Sequence, residues 1–183
     1  MVCEEASDYT RRWWPGRRPE PLSLTSSGPI VRYLQAGQGP VLVLLHSIRT
    51  QLDLFQPVIP RLTDRFTVYA FDYPGFGWSD IVPGADYREP AMPEHVVDFI
   101  EWLDLRDDTL AGESMGATLA LTAASVLEDR VKQVVAFNPY DYLAGGDPRA
   151  LSCDRARCRT TGKALRLLTV FLKLCCERRG KQP

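Results

Sequence analysis

The chain has 183 residues, 45% hydrophobic and 25% charged, with a formal net charge of −1. That length supports one domain with a real core, and the near-zero charge argues against a dedicated nucleic-acid-binding protein. No segment approaches the ~18 consecutive apolar residues of a transmembrane helix, and the acidic start "MVCEEASDYT" does not read as a signal peptide.

Residues 1–20 are polar and rich in Arg and Pro, and read as a loosely ordered leader. "PLSLTS" and "IVRYLQAG" read as two short strands joined by a Ser-Gly-Pro turn. "PVLVLLH", Pro40 to His46, is a continuous apolar run with β-branched residues, as expected of a strand buried on both faces of a parallel sheet. "QPVIPRLTDR" reads as a short helix, and "FTVYAFD" as the fourth strand. "MPEHVVDFIEWLDL" carries Val96, Val97, Ile100 and Leu103 at helical spacing. "DTLAGES" is a fifth strand, "MGATLALTAASVLEDR" an Ala-rich helix, and Val131 to Asn138 a sixth strand. Alternating strands and helices predict a mostly parallel sheet with helices on both faces. The core is expected to span residues 21–148.

The average charge hides a break. Residues 149–183 hold ten Lys/Arg against two acids, so residues 1–148 carry net −9 and the remainder net +8. Four of the five cysteines, Cys153, Cys158, Cys175 and Cys176, also lie in that tail. Their spacing is poor for zinc, with an adjacent pair and no histidine, so no metal is expected. "KALRLLTVFLKLCCERR" could form a basic amphipathic helix, but a loosely folded positive segment is the expectation. Without an export signal, the expected compartment is the cytoplasm, with free thiols.

Three loops follow three strand ends, where open α/β sheets bind their ligands. In "GESMG", Gly112 and Gly116 flank Ser114 at a strand-to-helix corner. Small residues are needed there because the backbone is sharply bent and closely approached. After the third strand, "LLHSIRT" is placed to give a backbone N–H from Ser47 or Ile48 to an oxyanion hole. The other N–H would come from Met115. His46 is expected to brace this loop rather than act as a base. In "FDYPGFGWSD", Asp72 is expected to anchor a tight turn. That loop has no phosphate-binding glycine spacing, so no nucleotide cofactor is implied.

These three motifs, in this order, resemble the α/β-hydrolase superfamily in its serine-nucleophile branch. The resemblance covers about Leu22 to Tyr142 and implies a partial α/β-hydrolase fold. It also implies Ser114 as the nucleophile, with Met115 and the Ser47–Ile48 segment forming the oxyanion hole. A serine at this corner argues against the dehalogenase- and epoxide-hydrolase-type branches, which place a carboxylate there. The implied activity is hydrolysis of a small-molecule ester or amide, with no cofactor.

The family places an acid and then a histidine after the nucleophile. Here the only histidines are His46 and His95, both earlier. His95 falls on a helix that covers a sheet face. Asp141, just after the sixth strand, is a weak candidate for the acid. The expected protein is therefore a serine hydrolase by lineage, inactive as this chain, and truncated after the sixth strand. The alternatives are a non-catalytic binding or scaffold protein and a non-functional fragment. The composition break favours unrelated sequence, such as a frameshift, over a truncated cap for the tail. An uncovered Val131–Asn138 edge strand would then lead to self-association.

Overall fold

The computed structural model describes residues 20–23, 29–88, 91–139 and 166–170. Seven strands form one sheet: β1 (Glu20–Ser23), β2 (Ile30–Gly37), β3 (Val41–Leu45), β4 (Thr67–Phe71), β5 (Asp108–Glu113), β6 (Val131–Phe137) and β7 (Arg166–Val170). Their spatial order is β1-β2-β4-β3-β5-β6-β7. The pairs β1–β2 and β2–β4 are antiparallel, and the five strands from β4 to β7 run parallel. Among the described residues three α-helices accompany them: α1 (Ile59–Leu62), α2 (Met92–Trp102) and α3 (Met115–Val126), with a 3-10 turn at Leu52–Phe55.

The apolar runs become central strands for the reason their composition suggests. Leu42, Val43, Leu44 and Leu45 are all at most 6% exposed, so successive side chains bury on opposite faces. One face places Val43, Leu45, Phe71, Leu110 and Val134 against α2 and α3. There Phe71 stacks on Phe99 at 4.0 Å between centroids and 8° between planes. The other face gathers Leu34, Leu42, Leu44, Val68 and Ala70 under Leu52 and Ile59. Beside α1, that second face leaves an apolar groove of about 440 Å³, lined among others by Phe55, Leu62, Val135 and Phe137.

The inward stripe of α2 is Met92, Val96, Phe99 and Ile100. Val97 and Leu103 are only partly buried, so the stripe is rotated from the one read in the sequence. The difference comes from Phe99, whose ring reaches the sheet between Phe71 and Tyr69. The helix ends where Asp104 takes φ +46, a left-handed turn, and Leu105 N–H bonds back to Ile100 O at 3.0 Å.

Two expectations about the tail change. Residues 166–170 form a strand, which corrects both the loosely folded segment expected there and its helical alternative. That strand pairs with β6 in parallel from Gln133↔Arg166 to Phe137↔Val170, so Val131–Asn138 is not the free edge expected to drive self-association. "RLLTV" has β-branched and Leu residues that suit either state, and the unpaired backbone groups of β6 decide in favour of the strand. Removal of residues 166–183 is therefore expected to destabilise the sheet by roughly 2–3 kcal/mol, from five cross-strand pairs at a few tenths each and their hydrogen bonds. It is also expected to shift size-exclusion elution toward oligomers. An unchanged melting curve and a monomeric peak would show that β7 adds nothing to β6.

At the opposite end of β5 from the elbow, Asp108 is 0% exposed, and neither carboxylate oxygen has a hydrogen-bond partner among the described residues. Burial raises its pKa to about 6, against the opposing pull of Arg130, while Asp107 adds to the rise. The folded state therefore binds this proton more tightly than the unfolded chain. Stability from this group is greatest at low pH, is lost as pH rises through about 4 to 6, and stays lost above that. Asp108→Asn is expected to gain about 2 kcal/mol at pH 7.5 and almost nothing at pH 3, below the unfolded pKa, measured by urea denaturation at both values. Equal gains at the two pH values would contradict the assignment.

Candidate active site

The backbone bends most sharply at Ser114, where β5 ends and α3 begins. Ser114 has φ +53 and ψ −113, outside the regions an L-residue normally occupies. The corner is held from two sides. Ser114 N–H donates to Phe137 O at the end of β6, 2.9 Å away. Ser114 O accepts from Ala117 N–H (3.1 Å) and Thr118 N–H (3.2 Å), the first turn of α3.

The two flanking glycines are steric requirements. A Cβ on Gly112 would run into the backbone of Gly116 and Ala117. A Cβ on Gly116 would run into the carbonyls of Leu45 and His46. The first contact lets α3 start close over β5. The second sets the end of β3 and the loop after it directly against the start of α3.

That loop is tightly specified. His46 is fully buried. Its Nδ1–H donates to Ser47 O at 2.8 Å, and its Nε2 accepts from Tyr73 N–H at 3.4 Å. These roles require the neutral tautomer with the proton on Nδ1. Burial lowers the His46 pKa, only partly opposed by the Ser47 carbonyl and Asp72, which keeps the ring neutral. Tyr73 OH donates to His46 O at 3.1 Å, and the two rings lie 4.2 Å apart. Thr50 adds Oγ1 (2.8 Å) and N–H (3.3 Å) to Ser47 O.

Three donors thus fix the Ser47 carbonyl. In a trans peptide the next N–H points the opposite way, so Ile48 N–H faces away from His46 and Thr50. At the first position of α3, Met115 N–H has no intrahelical acceptor. Among the described residues no backbone hydrogen bond uses either N–H.

The loop after β4 is tied by Asp72, which is 0% exposed. Its Oδ1 accepts from Leu52 N–H (2.7 Å), and its Oδ2 from Arg32 Nε (2.8 Å) and Trp78 N–H (2.9 Å). Ser79 Oγ donates to Asp72 O at 2.7 Å. Gly77, at φ +53, leaves the space the carboxylate occupies. Arg32 also pairs with Asp53, so one guanidinium joins β2, the β4 loop and the 3-10 turn.

The two histidines stay away from this corner in their bonding. Both nitrogens of His46 are engaged as described. His95 is half-buried on α2, where burial lowers its pKa against the pull of Asp98 and Glu94. Among the described residues, no hydrogen bond joins either histidine to Ser114. Asp141 lies outside the described residues, as do the four tail cysteines. No group of three His, Cys, Asp or Glu side chains among the described residues is arranged to hold a metal.

Sheet order, elbow and supporting loops together match a known pattern: the model of the alpha/beta hydrolase fold family fits residues 40–165. The chain belongs to that family.

Among curated relatives, 2-(acetamidomethylene)succinate hydrolase of Mesorhizobium japonicum is 36% identical over 108 residues, 58% of this chain and 38% of that protein. Haloalkane dehalogenase 2 of Mycobacterium bovis is 32% identical over 123 residues, 65% of this chain and 43% of that protein. Among solved structures, E-2-(acetamidomethylene)succinate hydrolase superposes with a TM-score of 0.63 at 29% identity, over 76% of this chain and 50% of that one. The chain thus spans half or less of the length of these α/β-hydrolase relatives. Among its described residues no helix is long and apolar enough to cross a membrane.

Arg32, Asp53, Thr50 and Tyr73 were not singled out in the sequence. Tyr73 follows Asp72 directly, and its place in the turn was a usable signal. Arg32 was visible as a lone charge inside the strand pattern "IVRYLQAG".

Proposed function

We propose that this chain carries the nucleophile and oxyanion-hole part of a serine hydrolase acting on small esters or amides. The observation that carries the reading is the strained Ser114 corner packed through Gly116 against the His46–Thr50 loop. Ser114 Oγ attacks the substrate carbonyl carbon, and the carbonyl electrons move to oxygen. Ile48 N–H and Met115 N–H receive that charge, with the positive end of α3 behind it. The hydroxyl proton must leave to a base as the bond forms. His46 is committed to its loop, so among the described residues neither histidine is bonded to Ser114 as that base.

Within residues 1–183 this predicts binding of the carbonyl without efficient turnover. The relatives support the acyl reading unequally. One acts on an acetamido compound, whereas the other acts on carbon–halogen bonds. A hydroxyl at position 114 suits attack on an acyl carbon and fits the first better.

The test is an NMR titration of the 183-residue chain with dimethyl succinate, a neutral ester. The amide signals of Ile48 and Met115 are expected to shift together. Shifts confined to other parts of the fold would contradict the reading.

A further inference from the structure

The His46–Thr50 loop contains a residue that its backbone does not favour. Thr50 N–H bonds to Ser47 O at 3.3 Å, which closes a four-residue turn over Ser47, Ile48, Arg49 and Thr50. Arg49, third in that turn, has φ +60. A turn with positive φ at its third position normally takes Gly or Asn there, because a side chain in the left-handed region is strained. The strain is sustained because Ser47 O is held by His46 and Thr50 as well.

Arg49 gains nothing visible within the fold in return. It is exposed, and the ion pairs among the described residues engage Arg32, Arg88, Arg106 and Arg130 instead. Strain of this kind concentrates at functional sites. The place is also specific: Arg49 follows Ile48, proposed above as an oxyanion-hole donor to the Ser114 site. The acid nearest Ser114 in sequence, Glu113, lines the groove under α1 on the other side of the strand.

We propose that Arg49 is a specificity residue of this site and binds a carboxylate carried by the substrate a few bonds from the scissile carbonyl. The preferred substrates are then esters or amides of carboxylate-bearing acids. The guanidinium suits this task because its planar donors engage both carboxylate oxygens at once. The positive end of α3 adds to the same anionic preference. This inference rests on the serine-hydrolase reading of the site.

The experiment uses the full 183-residue chain and two probes of nearly equal shape, monomethyl succinate with one free carboxylate and neutral dimethyl succinate. Both are titrated by NMR against wild type, Arg49→Gln and Arg49→Gly, with the Ile48 and Met115 amides as reporters. Wild type is expected to bind the monoester about five- to tenfold more tightly than the diester, as one charged contact at a partly exposed site allows. Arg49→Gln is expected to lose that preference while its affinity for the diester stays unchanged. Arg49→Gly, which relieves the turn, is expected to lose the preference as well and to melt a few degrees higher. Equal affinity of wild type for both probes, or a preference that survives in Arg49→Gln, would overturn the role of Arg49 and leave the hydrolase reading standing. If neither probe moves the two amides, both readings fall.

Discussion

Asp72→Ala is expected to cost about 4 kcal/mol of folding stability, the largest loss from any single substitution near the site. The carboxylate is fully buried and accepts from Arg32 Nε, Leu52 N–H and Trp78 N–H. Its removal leaves a guanidinium only 13% exposed with Asp53 as its remaining partner, and two backbone donors without theirs. Breaking a buried pair from one side costs roughly 3–5 kcal/mol, because the surviving charge stays out of water. For a chain of this size the melting temperature should fall by about 10 °C. Urea denaturation should show a lower midpoint at an unchanged slope. The double variant Arg32→Leu/Asp72→Ala should recover part of the loss, since the buried guanidinium is then gone and the one charge left without its partner is the more exposed Asp53 carboxylate, still bonded to Gln56 Nε2. Additive losses in the double variant would mean that the two side chains stabilise the fold independently.

The second large effect concerns turnover. Triad enzymes stripped of their base lose on the order of 10⁶ in kcat and keep only what binding and the oxyanion hole supply. The 183-residue chain should therefore hydrolyse a p-nitrophenyl ester at the rate of its own Ser114→Ala variant. The two histidines cannot make up the difference as they stand. His46 is bonded through Nδ1 to Ser47 O and through Nε2 to Tyr73 N–H, and His95 sits on α2 beside Asp98 and Glu94. Acid conditions would not help. Burial depresses the pKa of both histidines, so the unfolded chain takes up protons first as pH falls below about 6.5. Their contribution to stability is then lost toward low pH, opposite in sign to that of Asp108.

Much of the sheet was legible because its signals are local. An unbroken apolar run such as Val41 to Leu45 can hardly be anything but a central strand, and its burial follows. The elbow was legible for a related reason, since two glycines around a serine at a strand end leave few other backbone solutions. The helix stripe of α2 was displaced because the pattern alone does not say which of several apolar residues the sheet will meet. Strand β7 was missed because "RLLTV" sits in a basic, Leu-rich stretch whose spacing suits a helix equally well. The choice was made by β6, some thirty residues earlier. The Arg32–Asp72–Asp53 network joins positions 21 to 40 residues apart, and no local pattern encodes such a pairing. The preference for Ile48 over Ser47 as the proposed oxyanion donor rests on the orientation of one peptide plane, which depends on three hydrogen bonds and not on residue type.

The central claim is that Ser114 is presented as a nucleophile while residues 1–183 supply no base to activate it. Incubation of the intact 183-residue chain with a fluorophosphonate probe at pH 7, followed by peptide mass spectrometry, tests this directly. No covalent adduct on Ser114 is expected above the level seen with an ordinary surface serine. A stoichiometric adduct on Ser114, lost in Ser114→Ala, would contradict it and would mean that a base within this chain reaches the serine.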